Sequence, residues 1–127
     1  MTPRVLAAEL IRLVNERDAD GAEALFAPSA ELLFPRFAPR TVYRGGRELR
    51  EFFSWLGEVL PQQVFAAARI VADHRSATVE FETAGVSRKG HDFDGSGALV
   101  IDVTAGLIAG VRVYIDTADL GRILEVA

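Results

Sequence analysis

The sequence predicts an α+β fold in which helices lie on one face of a curved antiparallel sheet and enclose an apolar pocket. Three observations carry this expectation. Apolar residues in the first half recur at helical spacing, those in the second half alternate with polar ones, and short turn signals join the alternating segments. Strands that follow one another through short turns pair antiparallel, and such a sheet keeps one face for helices.

Residues 3–15 form the first expected helix, with Leu6, Leu10, Leu13 and Val14 on one side and Glu9, Arg12 and Glu16 on the other. Pro3 suits a first turn, where its missing N–H has no partner to lose. Asp18 opens a short second helix over 19–26, and Pro28 ends it. Residues 30–34 and 41–44 are short strands around a loop that holds Pro35 and Pro39. Gly45 and Gly46 precede the clearest helical period of the chain, 47–60, in which Leu49, Phe52, Phe53, Leu56 and Leu60 share a face. Period 2 then takes over. Residues 63–72 run into a turn at Asp73-His74, and 76–84 return with Val79 and Phe81 facing opposite to Glu80 and Glu82. Residues 91–103 form a long strand interrupted by Gly95 and Gly97, where a bend, a bulge or a close approach is expected. The turn 104–106 leads into a last strand, 107–115, whose Val111, Val113 and Ile115 point to the pocket and whose Arg112 and Tyr114 point away. Asp116 is expected to cap a final helix over 117–124, with Asp119 three residues on.

Composition narrows the chemistry. The 127 residues, half of them hydrophobic, suit a single domain, 1–127, with its own core. The absence of cysteine excludes thiol nucleophiles, disulfides and cysteine-ligated metals. His74 and His91 have no metal-site spacing, and Gly95-Ser96-Gly97 lacks the lysine and helix of a phosphate loop, so neither metal nor cofactor is expected. Arg4, Glu9 and Arg12 interrupt any leader-like run, and no stretch reaches the ~20 apolar residues of a membrane span. A cytoplasmic protein with no membrane partner is the simplest expectation. A net charge of -4 argues against nucleic acid. Arg36, Arg40, Arg44, Arg47 and Arg50 form a local basic excess, expected as a solvated surface, with an anionic-ligand site as the alternative.

The segments ALFAPSAELLFP (24–35), YRGGRELREFFSWL (43–56) and AGLIAGVRVYIDTADLGRIL (105–124) together resemble the SnoaL-like branch of the NTF2-like superfamily, and the resemblance spans nearly the whole chain. It implies a cone-shaped α+β barrel with three helices in its N-terminal half. It also implies a homodimer paired through the outer sheet face, in keeping with the apolar residues left on that face. Family members include ketosteroid isomerases, limonene epoxide hydrolases and polyketide cyclases, so the resemblance leaves the reaction open. The position of the isomerase base is Phe34, before Pro35, and the first helix has no tyrosine. The late-strand acid of the epoxide hydrolases corresponds to Val113, before Tyr114, with Glu80 and Glu82 near their other charged positions. The acid–base group of the cyclases falls near His91, Asp92 and Asp94.

The catalytic candidates are therefore Glu80, Glu82, His91, Asp94 and Tyr43. If Val79 and Phe81 pack on the outer face, the two glutamates look into the pocket, and in the inverse arrangement they meet solvent. Phe34, Phe52, Trp55, Leu56, Phe93, Leu99, Val113 and Ile115 are the expected lining. Two functions fit. One is a cofactor-free acid–base enzyme, an isomerase, cyclase or dehydratase (or an epoxide-hydrolase-like enzyme), acting on an apolar polyketide- or terpenoid-like molecule. The other is a binding or dimeric assembly module without chemistry.

Overall fold

The computed structural model describes residues 1–36, 38–116 and 118. Helix α1 (Pro3–Asn15) starts where Thr2 accepts a hydrogen bond from the Val5 N–H at 3.2 Å. It buries Leu6, Ala7, Leu10 and Leu13 and keeps Arg12 outside, ion-paired with Glu9 and Glu16. Helix α2 (Ala19–Glu23) is capped by Asp18, which accepts from the Gly21 N–H at 2.8 Å. It stops earlier than the sequence suggests, because strand β1 (Phe26–Leu33) begins at Phe26. Pro28 stands inside that strand rather than behind a helix, at the register shift between Phe26 and Glu31, where a missing N–H costs no ladder bond.

Strand β2 (Val42–Arg44) leads into helix α3 (Gly45–Val59), and β3 (Val64–Ala72), β4 (Ser76–Val86), β5 (Asp92–Thr104) and β6 (Leu107–Ile115) follow as an antiparallel meander. β6 then pairs parallel with β1, which pairs antiparallel with β2. The six described strands thus form one mixed sheet in the order β2-β1-β6-β5-β4-β3.

This order corrects the expected cone-shaped barrel. The sheet is open, with β2 and β3 at opposite edges, and it is neither closed on itself nor strongly curved. Closure would require those two edges to hydrogen-bond, and β2 offers only three residues. The helices cover one face instead, α1 toward β3 and β4 and α3 toward β1 and β2. Of the bend, bulge or close approach expected at Gly95 and Gly97, the register shows no bulge there, its one irregularity on β5 lying between Asp102 and Val103. The two glycines clear room for rings. A Cβ on Gly97 would stand 2.7 Å from the Phe81 ring and 2.5 Å from the Tyr114 carbonyl, and one on Gly95 would stand 3.2 Å from the Phe93 ring.

The core lies between the helices and the inner sheet face, with Leu6, Leu32, Leu49, Val79, Ile101, Ile108 and Val111 fully enclosed. The final helix expected over 117–124 lies outside the described residues, as does Asp119. The Ala118 N–H does donate to Asp116 Oδ1 at 2.9 Å, the local geometry of a capping aspartate. Among the described residues no helix is long and apolar enough to cross a membrane.

Candidate functional site

A cavity of ≈ 80 Å³ lies between the inner sheet face and the two longer helices. α1 contributes Leu10, Ile11 and Val14 to it, and α3 contributes Phe52, Phe53 and Leu56, with Leu60 just beyond. The strands add Leu32, Phe65, Phe81, Phe93, Leu99, Val111, Val113 and Ile115, and Phe34 follows β1. Period 2 explains the strand contributions, since Val111, Val113 and Ile115 share one face of β6 and Phe93 and Leu99 share the matching face of β5. Phe34, Phe52, Phe53, Phe65, Phe81 and Phe93 are six of the eight phenylalanines of the chain, so the wall is largely aromatic.

The rings hold one another in place. Phe52 lies 5.1 Å from Phe34, 4.9 Å from Tyr43 and 5.2 Å from Phe53, centroid to centroid, all at tilted or edge-on angles. Trp55 packs edge-on against Phe34 at 6.0 Å and so backs the wall from behind rather than lining the cavity. Tyr43 is buried behind Phe52. Its hydroxyl accepts from the Arg40 N–H at 3.1 Å, and burial pushes its pKa up.

The polar candidates stand elsewhere. Val79 and Phe81 are buried in the core, so Glu80 and Glu82 project from the outer face of β4 and are exposed. Asp92 and Asp94 flank buried Phe93 and are exposed on the same outer side. His91 sits in the β4–β5 turn with its side chain exposed, and its main chain is tied to Ser87, the N–H donating to Ser87 Oγ at 3.2 Å and the carbonyl accepting from the Ser87 N–H at 2.8 Å. These residues therefore do not converge. Every described side chain on the cavity wall is apolar.

Two polar side chains that sequence reasoning missed brace the elements around the cavity without lining it. Gln63 is fully buried. Its Nε2 donates to Thr83 Oγ1 at 2.7 Å and to the Phe93 carbonyl at 3.1 Å, which fixes the strand that carries the Phe93 ring. Gln63 Oε1 has no hydrogen-bond partner and faces Gly85, where a Cβ would stand 2.8 Å away. Arg17 lies in the turn after α1 and donates to the carbonyls of Leu60 and Gln63 at 3.0 and 2.7 Å, joining the ends of α1 and α3. The signal for Arg17 was a long cation directly before a helix cap. Gln63 had none beyond its place at a strand start.

The basic excess is mostly neutralised at the surface. Arg44 donates to Glu31 at 3.0 Å, Arg47 meets Glu51 at 3.4 Å, Arg40 meets Glu48 at 3.7 Å and Arg50 meets Asp20 at 3.9 Å. On the outer face Arg112 donates to Asp102 at 2.6 Å, which raises the Arg112 pKa. Among the described residues no three His, Asp or Glu side chains cluster as metal ligands.

An open mixed sheet with α1 and α3 on one face, α2 packed against those helices, and an apolar cavity between helices and sheet are the described features of an NTF2-like protein. The model of the SnoaL-like domain matches residues 7–111, and the chain belongs to that family. Among solved structures, an NTF2-like protein of unknown function from Burkholderia pseudomallei is similar at a TM-score of 0.87 and 16% identity, over 96% of each chain. TerC, co-crystallized with polyporic acid, gives 0.85 and 16% over 98% of this chain and 99% of its own. SalBIII, an epoxide hydrolase/cyclase-like enzyme in pyran ring formation in the polyether salinomycin, gives 0.78 and 22% over 92% of each chain. At such identities the likeness is one of fold. No curated protein sequence matches the chain.

Proposed function

We propose that this protein binds a small apolar molecule in the cavity between α1, α3 and the inner sheet face, as a binding module without acid–base chemistry of its own. One observation carries the reading: the wall holds hydrocarbon and aromatic side chains, and the described acids and histidines lie outside it. Proton transfer needs a titratable group within hydrogen-bond reach of the reacting atom, directly or through one water. The size of the cavity also bounds the ligand. A cavity of ~150 Å³ holds one benzene, and ≈ 80 Å³ is smaller than that, so the ligand is no larger than a single ring or a short branched chain. TerC, which has the same fold, was co-crystallized with polyporic acid, in keeping with a small-molecule ligand for this fold.

Calorimetric titration with toluene tests the reading. Saturable binding with a negative heat-capacity change is the expected result, because that change marks burial of apolar surface. Absence of binding, or binding that leaves the heat capacity unchanged, contradicts it.

A second reading, a cofactor-free cyclase- or isomerase-type enzyme, draws support from the likeness to SalBIII. It requires an acid to reach the cavity from outside its described lining, and Glu82, Asp94 and His91 are the residues to substitute in testing it. We further propose that two copies pair through the outer sheet face, where Leu33, Val71 and Tyr114 are exposed at 39%, 53% and 56% around the smaller Ala98 and Val100. Sedimentation of the wild type and of Tyr114→Glu tests this. A dimer that the substitution converts to monomer is expected, and a monomeric wild type refutes it.

A further inference from the structure

Arg17 occupies a position that its backbone does not favour. Its φ is +56°, the left-handed region that follows a helix end and that glycine adopts most cheaply. The long side chain kept there runs along Gly57 of α3, where a Cβ would stand 3.2 Å from Arg17 Cγ, and its guanidinium turns back under the helix ends. Three of its N–H groups are used, one on the Asn15 carbonyl at 2.7 Å and the others on the Leu60 and Gln63 carbonyls. A guanidinium carries five. No carboxylate among the described residues forms an ion pair with it. The last carbonyls of α3 favour the positive charge at this place without discharging it.

Beside this guanidinium is a second hollow, of ≈ 10 Å³, that shares Val14, Phe53, Leu56, Leu60 and Phe65 with the apolar cavity and adds Arg17 and Asp18 as its polar walls. Its volume suits one atom or one water. Asp18 is the only described carboxylate on that wall, and it is engaged in capping α2 through the Gly21 N–H. The Asn15 carboxamide is also engaged, donating to the Phe65 carbonyl and accepting from the Phe65 N–H at 2.8 Å each. Gln63 Oε1, the unpartnered acceptor nearby, faces Gly85 and is not on this wall, so the free hydrogen-bonding capacity of the hollow's own side chains is that of a cation donor.

We propose that this hollow is the polar subsite of the cavity, and that the ligand is a single-ring or short branched hydrocarbon carrying one terminal acceptor oxygen, a carbonyl or a carboxylate, received by Arg17. The inference rests on the apolar-binding reading above and specifies its ligand. An oxygen placed there takes the unused N–H groups, while the apolar body fills the phenylalanine-walled space. A hydrocarbon of equal size gains only the second contribution.

Titration of the intact protein with ethylbenzene, acetophenone and benzoate tests it, the three sharing one ring and differing in the terminal atoms. At least one of the two oxygen-bearing probes is expected to bind tenfold or more tightly than ethylbenzene, although both are the more water-soluble. Preference for benzoate identifies the anion as the recognised form. Preference for acetophenone identifies the neutral carbonyl, with the Asp18 charge opposing a second carboxylate. Arg17→Met keeps the stem and removes the donors, so it is expected to abolish the preference for the oxygen-bearing probes over ethylbenzene. Should that variant fail to fold, the ¹⁵N resonance of the wild-type Arg17 Nε serves instead. It is expected to shift with the preferred oxygen-bearing probe and to stay in place with ethylbenzene. Equal binding of all three probes, or a preference that survives Arg17→Met, overturns the subsite and spares the apolar-binding reading. Failure of all three to bind overturns both.

Discussion

At Gly97 a missing side chain shapes the site. The space that a Cβ would fill belongs to the Phe81 ring and the Tyr114 carbonyl, 2.7 and 2.5 Å away. Gly97→Ala is therefore expected to destabilise the fold by about 1–3 kcal/mol through overpacking. Gly90 offers the contrast. Its φ is +86°, but nothing lies within 4 Å of a Cβ there, so Gly90→Ala carries backbone strain alone, about 1 kcal/mol. Denaturant midpoints of the two variants check the order, and an equal loss would mean that the close approach at Gly97 is not tight.

Asp73 makes a residue-scale prediction about pH. Its Oδ1 accepts from the Arg75 and Ser76 N–H groups at 2.8 and 2.9 Å, and these bonds hold its carboxyl below the ordinary carboxylate range. A group depressed in the folded state contributes stability that is fully present above its unfolded pKa and is lost as pH falls through the folded one. The wild type should thus lose stability on acidification below the ordinary aspartate range in part through this turn. Asp73→Asn should flatten that part of the profile, and acid titrations of the two proteins followed by circular dichroism compare them.

Among the elements, α3 builds most of the aromatic wall. Phe52 touches Phe34, Tyr43, Phe53 and Trp55, and its position on the helix puts it against β1 and the cavity at once. Phe52→Ala is expected to cost about 3–5 kcal/mol and to enlarge the cavity. The loss is read in denaturant melts, and a loss under 1 kcal/mol would show that the rings repack freely. This helix was legible in the sequence because Leu49, Phe52, Phe53 and Leu56 repeat at its period with little ambiguity. β4 was legible only in part. Alternation separated Val79 and Phe81 from Glu80 and Glu82, but it is symmetric and assigns neither pair to a face. Burial on the sheet face that α1 covers selects Val79 and Phe81 for the core, and the glutamates consequently point out. The α2–β1 boundary misled for another reason. Pro28 reads as a helix stop locally, whereas pairing of Phe26 with Ile108 on a strand far along the chain extends β1 through it.

For the whole molecule, the order of elements and their antiparallel meander followed from turn spacing, whereas closure did not. Whether a sheet closes depends on hydrogen bonds between its first and last members, and no local pattern records that β2 and β3 stay apart. The cavity was foreseeable as a hollow under α3, through Phe34, Phe52, Leu56 and the inward positions of β5 and β6. The contribution of α1 and of Phe65 was not, because it depends on how α1 lies across β3. The same packing puts Arg17 on the small hollow beside the cavity.

The central claim is that the hollow beneath α1 and α3 is a ligand site and that the outer face is not. Methyl and aromatic NMR during titration with toluene tests it most directly. Saturable shifts at Leu32, Leu99, Val111 and Val113 are predicted, with the signals of Val64, Val71 and Thr78 on the outer face unmoved. Shifts confined to the outer face, or none at saturating toluene, would contradict it.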